Sequence, residues 1–420
     1  MEVCMEKGLS LSHIDATIRE QLKRLNISSG EAYLTDVTSI VNPLQERLDS
    51  ARDELWELVA KAAASEDTTE LHQINDRTVS AAGVLFVSMN SVPMVQEFCT
   101  AVRDAIAERV LELARTELYF SGLYCKLPLS LLAVGSDGRR EQTLFTDQDY
   151  LFLHGSGERD SLSSEEAMAD YFGMLGAVFS TKMEEAGISK CSGGIMPVND
   201  DWRGSLPQWQ ERLTTLFRFE RNDWEKNILT LIALMDTRFI CGDRDLGLGF
   251  GELVRARVRD TPQAIRHMAR VVSSMRLSKG FRRRFIVEAE GNHKGEFNLK
   301  LFAWMPLVMC IRLLAVDVGI EETSTLERIK RLQSEGHVTY LMATDLIGAY
   351  NTLTGHRINQ QIKRIKRIVD DDCYINPYEL PNQEREELKN VIGRIDDLQN
   401  MVRSRFSMAT SADRILLPRL

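Results

Sequence analysis

The chain has 420 residues, too many for one ordinary hydrophobic core, so two or three domains are expected. Its hydrophobic fraction of 44% and charged fraction of 27% belong to a globular, water-facing protein and exclude a disordered or fibrous one. A formal net charge of −9 argues against a surface built as a whole for nucleic acid, while permitting a local basic patch.

Seven cysteines, widely spaced and without a C-x-x-C pair, predict reduced thiols and a cytoplasmic setting rather than a disulfide framework or structural zinc. The longest apolar runs, such as "NILTLIALM" at 227–235, are too short to span a bilayer. The opening "MEVCMEKGLS" meets charges before any apolar core, so no signal peptide is expected there.

Residues 1–115 read as successive helices and form the first expected domain. Ile14, Ile18, Leu22 and Leu25 mark one amphipathic stripe, and Pro43 suits the first turn of a second helix. The pattern changes in the second expected domain, 116–255. "LPLSLLAV" at 127–134 and "YLFLHG" at 150–155 are short apolar runs bounded by turn residues, as buried strands are. A helix then opens near Ser164 and closes at Gly187, and "ISKCSGGIMPV" at 188–198 predicts another strand. This is the only sheet-like region the sequence suggests. "GLGFG" at 247–251 lacks the Lys-Ser/Thr of a phosphate loop and reads as a linker. Helical period returns in the third expected domain, 256–420, with a Thr261–Pro262 start, a capping box "STLE" at 324–327, a stop at Gly336 and a charged final helix. The expected fold class is therefore α/β, predominantly helical, with a small sheet core between helical ends.

Chemistry concentrates in "GSDGRREQTLFTDQD" at 135–149. Side chains alternate along a strand, so Asp147 and Asp149 face the same way. Two carboxylates on one face repel unless a cation lies between them, and hard oxygen ligands of this kind suit Mg²⁺ shared with substrate phosphates. Gly135 lets a backbone approach closely, and the turn with the Ser136 hydroxyl can cradle a phosphate. Arg139 and Arg140 follow within reach of the same anion. Phosphate cradle plus metal carboxylates points to phosphoryl or nucleotidyl transfer. The basic cluster around Arg282–Arg284 could grip polyphosphate, though a solvated helix face explains it better. His267, His293, His337 and His356 show no metal-ligand spacing.

The same stretch resembles the G-S-x-G-R-x-E-Q-T-x-x-T-D-Q-D signature of the nucleotidyltransferases commonly attached to CBS domains. Gly135, Ser136, Gly138, Arg139, Glu141, Gln142, Thr143, Thr146, Asp147, Gln148 and Asp149 match it. The likeness continues in "CSGGIMPVNDDWRGSLPQW", in "MDTRFICGD" and in the segment holding Lys300, Arg312 and the Thr323-to-Arg328 run. Together these cover about residues 110 to 365, and no CBS pair is seen. The resemblance implies a polymerase beta-like nucleotidyltransferase core flanked by N- and C-terminal helical domains, related to PII-protein uridylyltransferase and glutamine-synthetase adenylyltransferase.

It further implies an enzyme that uses Mg²⁺ or Mn²⁺ and a nucleoside triphosphate to modify an acceptor hydroxyl, with a PII-like signalling protein and UTP as candidate acceptor and donor. Asp147 and Asp149 would be the catalytic metal ligands, and Gly135, Ser136 and Arg139 would bind the triphosphate. Lys300, Arg312 and Arg328 read either as groups closing over the site or as interhelical ion pairs. Superfamily enzymes add a third carboxylate, which "ISKCSGGIMPV" lacks; Asp236 or the Asp200–Asp201 pair could replace it, and a salt bridge to Arg238 or Arg244 is the other reading of Asp236. The alternative from another class is a nucleotide-binding regulatory module without turnover. No nucleic-acid or membrane partner is expected, and a homodimer is left open.

Overall fold

Two five-residue apolar runs organise the centre of the fold, and in the computed structural model both are strands buried at every position: β1 (Leu129–Ala133) and β2 (Tyr150–His154). The structure describes residues 32–156, 165–219, 224–275 and 285–406. The helix expected at 13–25, the Ser164 cap and the Arg282–Arg284 cluster lie outside them.

Three helices precede the strands: α1 (Ala32–Ala64), α2 (Thr68–Met89) and α3 (Val92–Phe120). Pro43 does not open α1 as expected but lies inside it, where its ring removes one hydrogen bond without ending the helix. Asp67 caps α2 by accepting from the amides of Thr69 and Glu70 at 2.8 and 3.0 Å. After β2 come α4 (Glu165–Glu185), β3 (Arg203–Ser205), α5 (Leu206–Leu216), α6 (Trp224–Leu234) and β4 (Arg238–Gly242). The remainder is α7 (Arg244–Arg259), α8 (Pro262–Ser274), β5 (Phe297–Asn298), a π-helical turn (Lys300–Trp304) leading into α9 (Met305–Asp317), α10 (Thr325–Ser334), α11 (Tyr340–Ile365), β6 (Tyr374–Ile375) and α12 (Asn382–Arg405). The fold is predominantly helical α/β with a small mixed sheet, and among the described residues no helix is long and apolar enough to cross a membrane.

The sheet runs in the order β3-β2-β1-β4. β1 pairs antiparallel with β2 and with β4, and β2 pairs parallel with β3. A second, two-stranded sheet pairs β5 with β6, so sheet structure is not confined to one region as expected.

The other departures have local causes. Residues 188–198 are not a full strand: Ser189 makes a single parallel bridge to Asp147, and from Cys191 the chain turns, with Gly194 at φ +70 and the amides of Gly194, Met196 and Asn199 donating to Cys191, Gly194 and Met196. The apolar run at 227–235 that precedes Asp236 is mostly helix α6, and the strand β4 comes after Asp236. Its apolar residues suit either element, and Ile228, Leu231 and Ile232 bury one helical face. "GLGFG" is no linker but part of α7, capped by Asp243, which accepts from the Leu246 amide at 2.9 Å. Gly247 lets this helix lie close on the sheet: a Cβ there would come within 2.7 Å of Phe239 and 3.0 Å of Leu132. Ser324 does stand at the N-cap of α10, yet its side chain makes no capping bond. Gly187 and Gly336 stop α4 and α10 with φ +84 and +79, as expected.

The chain divides into two compact units. One comprises residues up to Tyr124 with Arg140–Gln148 and Met174–Lys190. There the fully buried Arg103 of α3 donates to the carbonyls of Thr143 and Leu144 at 2.6 and 2.7 Å, tying the signature's middle to the helices. The other unit comprises Cys125–Arg139, Asp149–Gly173 and the chain from Cys191 onward.

Candidate nucleotide and metal site

Strand register gathers three chain ends at one edge of the sheet. Ala133, the last residue of β1, pairs with Tyr150 at the start of β2 and with Arg238 at the start of β4. The Gly135 turn, Asp149 and Asp236 are therefore neighbours by topology. The Val134 amide extends the ladder by donating to the Asp149 carbonyl at 2.9 Å. The chain then turns through one helical turn, Gly135–Gly138, which Gly135 enters at φ +60. A Cβ on Gly135 would stand 2.3 Å from Asp149 Oδ2. The backbone angle favours glycine here, and a Cβ would displace the Asp149 carboxylate.

The expected alternation along D-Q-D is present. Gln148 is fully buried and donates to the carbonyls of Ser180 and Ile188, each at 3.0 Å, while Asp147 and Asp149 on either side of it are half-buried. One carboxylate oxygen of each aspartate lies within 4.8 Å of the other and of the Cys191 sulfur. This donor set fits a divalent cation: two hard oxygen ligands suit Mg²⁺ or Mn²⁺, and the thiol shifts the balance toward softer ions. Ser136 is half-buried on the adjoining turn.

Asp236, the candidate third acid, is placed otherwise. It is completely buried, and both of its oxygens are taken by guanidinium groups. Arg139 Nη1 reaches Oδ2 at 2.7 Å, Arg328 Nη1 reaches Oδ1 at 2.9 Å, and Arg312 donates to both, from Nε to Oδ1 at 3.1 Å. Burial by itself raises this carboxyl, but Arg312, Arg328 and Arg139 outweigh it and hold the group well below the usual carboxylate range. Its ion-pair partners are thus not the expected Arg238 and Arg244. Arg238 instead pairs with Asp137 at 2.8 Å. Asp200 is exposed and pairs with Arg203.

Arg139, expected to meet a phosphate, is buried. Its Nη1 donates to the Gly135 carbonyl at 2.8 Å as well as to Asp236, and its guanidinium lies 5.4 Å over the Trp304 ring. Arg140 is exposed with φ +58. Further bonds hold the turn. Arg238 donates to the Asp137 carbonyl from Nε at 3.2 Å, and the Thr323 hydroxyl donates to the Gly138 carbonyl at 2.8 Å. Arg312 and Arg328 had been legible only as members of a motif with two readings; they are ion-pair residues of this cluster.

The histidines gather no metal set among the described residues. His267 packs between Phe219 and Trp224, and burial lowers its pKa. His293 stacks on Tyr374 and contacts Glu296 at 2.7 Å. Cys99, Cys310 and Cys373 are free thiols.

No curated protein matches the chain. Two family models do: "Putative nucleotidyltransferase DUF294" over residues 77–223 and "Putative nucleotidyltransferase substrate binding domain" over residues 262–406. The first contains the Gly135 turn, Asp147, Asp149 and Cys191; the second contains Arg312, Thr323 and Arg328. Taken together the two spans make up well over half of the sequence, and the chain belongs to the DUF294 nucleotidyltransferase family.

Proposed function

We propose that this protein transfers a nucleotidyl group from a nucleoside triphosphate to an acceptor hydroxyl, using Mg²⁺ or Mn²⁺ held by Asp147 and Asp149. The observation that carries the reading is the fit of Gly135 against Asp149, which brings a sharp turn beside a carboxylate that any added Cβ would push aside. In the reaction the acceptor oxygen bonds to the α-phosphorus, the bond from that phosphorus to its bridging oxygen breaks, and pyrophosphate leaves; the hydroxyl proton passes to solvent. The bound cation would supply charge neutralisation on the phosphates.

The chain's own residues bind and orient. Ser136 and the turn backbone meet the triphosphate, and Arg139 supports the turn from beneath rather than touching the phosphate first. Family kinship suggests a protein acceptor of PII type in the cytoplasm with UTP as donor, and the acidic net charge disfavours RNA. A second reading, metal–nucleotide binding without turnover in a signalling role, is favoured by one observation: Asp236 is committed to three arginines, and the third group beside Asp147 and Asp149 is a thiol.

The test is a screen of four α-labelled triphosphates with Mg²⁺ or Mn²⁺ and cell lysate, following label on protein and release of pyrophosphate. One donor labelling a protein band supports transfer. No label and no release with any donor leaves the binding module.

A further inference from the structure

The buried cluster around Asp236 joins four parts of one compact unit: Arg139 after β1, Asp236 before β4, Arg312 in α9 and Arg328 in α10. Arg328 sits 92 residues and Arg312 76 residues from Asp236 in sequence. The three arginines are 0–5% exposed, and three positive charges share one carboxylate. Such a cluster is weak as a device for stability, because desolvation offsets most of its attraction. Its geometry serves another end. Arg139 carries the cluster directly to the Gly135 carbonyl, and Thr323, next to α10, holds the Gly138 carbonyl. At Gly138 the turn packs closely on the Asp236 backbone, where an added Cβ would stand 2.1 Å from the carbonyl oxygen. Gly135 at the other end already lies against Asp149.

We infer that Thr323, Arg312 and Arg328 are positioning residues for the donor nucleotide, acting through Asp236, Arg139 and Gly138 to fix the Gly135–Gly138 turn against Asp149. The C-terminal helices then do more than receive an acceptor: they set the geometry of triphosphate binding. The inference rests on the reading of this turn and the Asp147–Asp149 pair as the metal–triphosphate site.

Thr323→Val removes one neutral hydrogen bond at a half-buried position and no charge, so the fold is retained. Arg312→Lys keeps charge and loses the two-pronged grip. The full-length chain is compared with both variants, with Thr323→Ser and with Asp149→Asn. Affinity is measured for Mn²⁺ alone and for Mn²⁺ with UTP or ATP, and amide exchange is followed over residues 133–140. The expected result is a loss of about fivefold or more in triphosphate affinity for Thr323→Val and Arg312→Lys. Affinity for Mn²⁺ alone stays unchanged, exchange in the turn rises, and Thr323→Ser restores both. If Arg312→Lys does not fold, Thr323→Val decides. Folded Thr323→Val with wild-type triphosphate affinity and wild-type exchange, while Asp149→Asn loses binding, overturns the inference and leaves the site reading intact. A wild-type chain that binds no Mn²⁺–triphosphate overturns the site reading, and the inference with it.

Discussion

Replacing Asp236 by Asn keeps the size of the side chain and removes its charge. The three guanidiniums around it, on Arg139, Arg312 and Arg328, are 4, 5 and 0% exposed, so water cannot take the place of the lost carboxylate. Removing one partner of a buried ion pair costs about 3–5 kcal/mol, and here three charges lose the same partner, so the upper end is expected. At roughly 2–4 °C per kcal/mol for a domain of this size, the melting temperature should fall by about 10–20 °C. The pH dependence follows from the sign of the shift. Burial raises the Asp236 pKa, but the arginines depress it further than burial raises it, leaving the folded value below the unfolded one. Such a group gives stability that is complete above the unfolded pKa of about 3.9 and is lost as pH falls below it. Melts of wild type and Asp236→Asn at neutral pH should therefore differ by the full amount, and the gap should close in acid. Equal melting temperatures at neutral pH would refute the claim that the cluster is held by this carboxylate.

Gly135→Ala should abolish metal-dependent triphosphate binding in a folded chain, because its Cβ meets Asp149; Gly122→Ala, at φ +81 with open space around it, should cost only about 1–2 kcal/mol and serves as the control in parallel melts and titrations. Arg103→Met should destabilise by on the order of 3 kcal/mol in urea denaturation, since it leaves the Thr143 and Leu144 carbonyls and Asn75 without their buried donor. Glu97 is pushed up to about 7 by burial, against the pull of Arg140 and Arg52. A raised acid gives stability that is present below the unfolded pKa and is lost as pH rises through the folded one, so Glu97→Gln should stabilise the chain above about pH 7 and make little difference near pH 4, as read from melts across that range.

How far the sequence carried the fold depends on the range of the interactions involved. Alternation along Asp147–Gln148–Asp149 is a local property, readable from the sequence because extended chain has period two. β1 and β2 were readable as short apolar runs bounded by turn residues, and Gly187 and Gly336 as helix stops, which are local signals too. "NILTLIALM" was ambiguous because a short apolar run fits a buried strand or a buried helix. "GLGFG" misled because glycines that break helices elsewhere are needed in α7 for its close approach to Phe239 and Leu132. The partners of Asp236 were out of reach, since each arginine lies 76 to 97 residues away and nothing local marks the pairing. The one signal was that Arg139, Asp236, Arg312 and Arg328 all fell in family-like segments. Cys191 lies within "CSGG", where a lone thiol with no second metal-ligand residue at regular spacing gives no local sign of a metal site.

The most direct test of the central claim is the metal-dependent affinity for a nucleoside triphosphate in wild type, Asp147→Asn and Asp149→Asn, titrated with and without Mn²⁺. An amide keeps the shape of each side chain and cannot replace its charge at a divalent cation. Wild type should bind tightly only when Mn²⁺ is present, and both variants should lose that metal dependence while staying folded. Both variants binding triphosphate with wild-type affinity and wild-type metal dependence would contradict it.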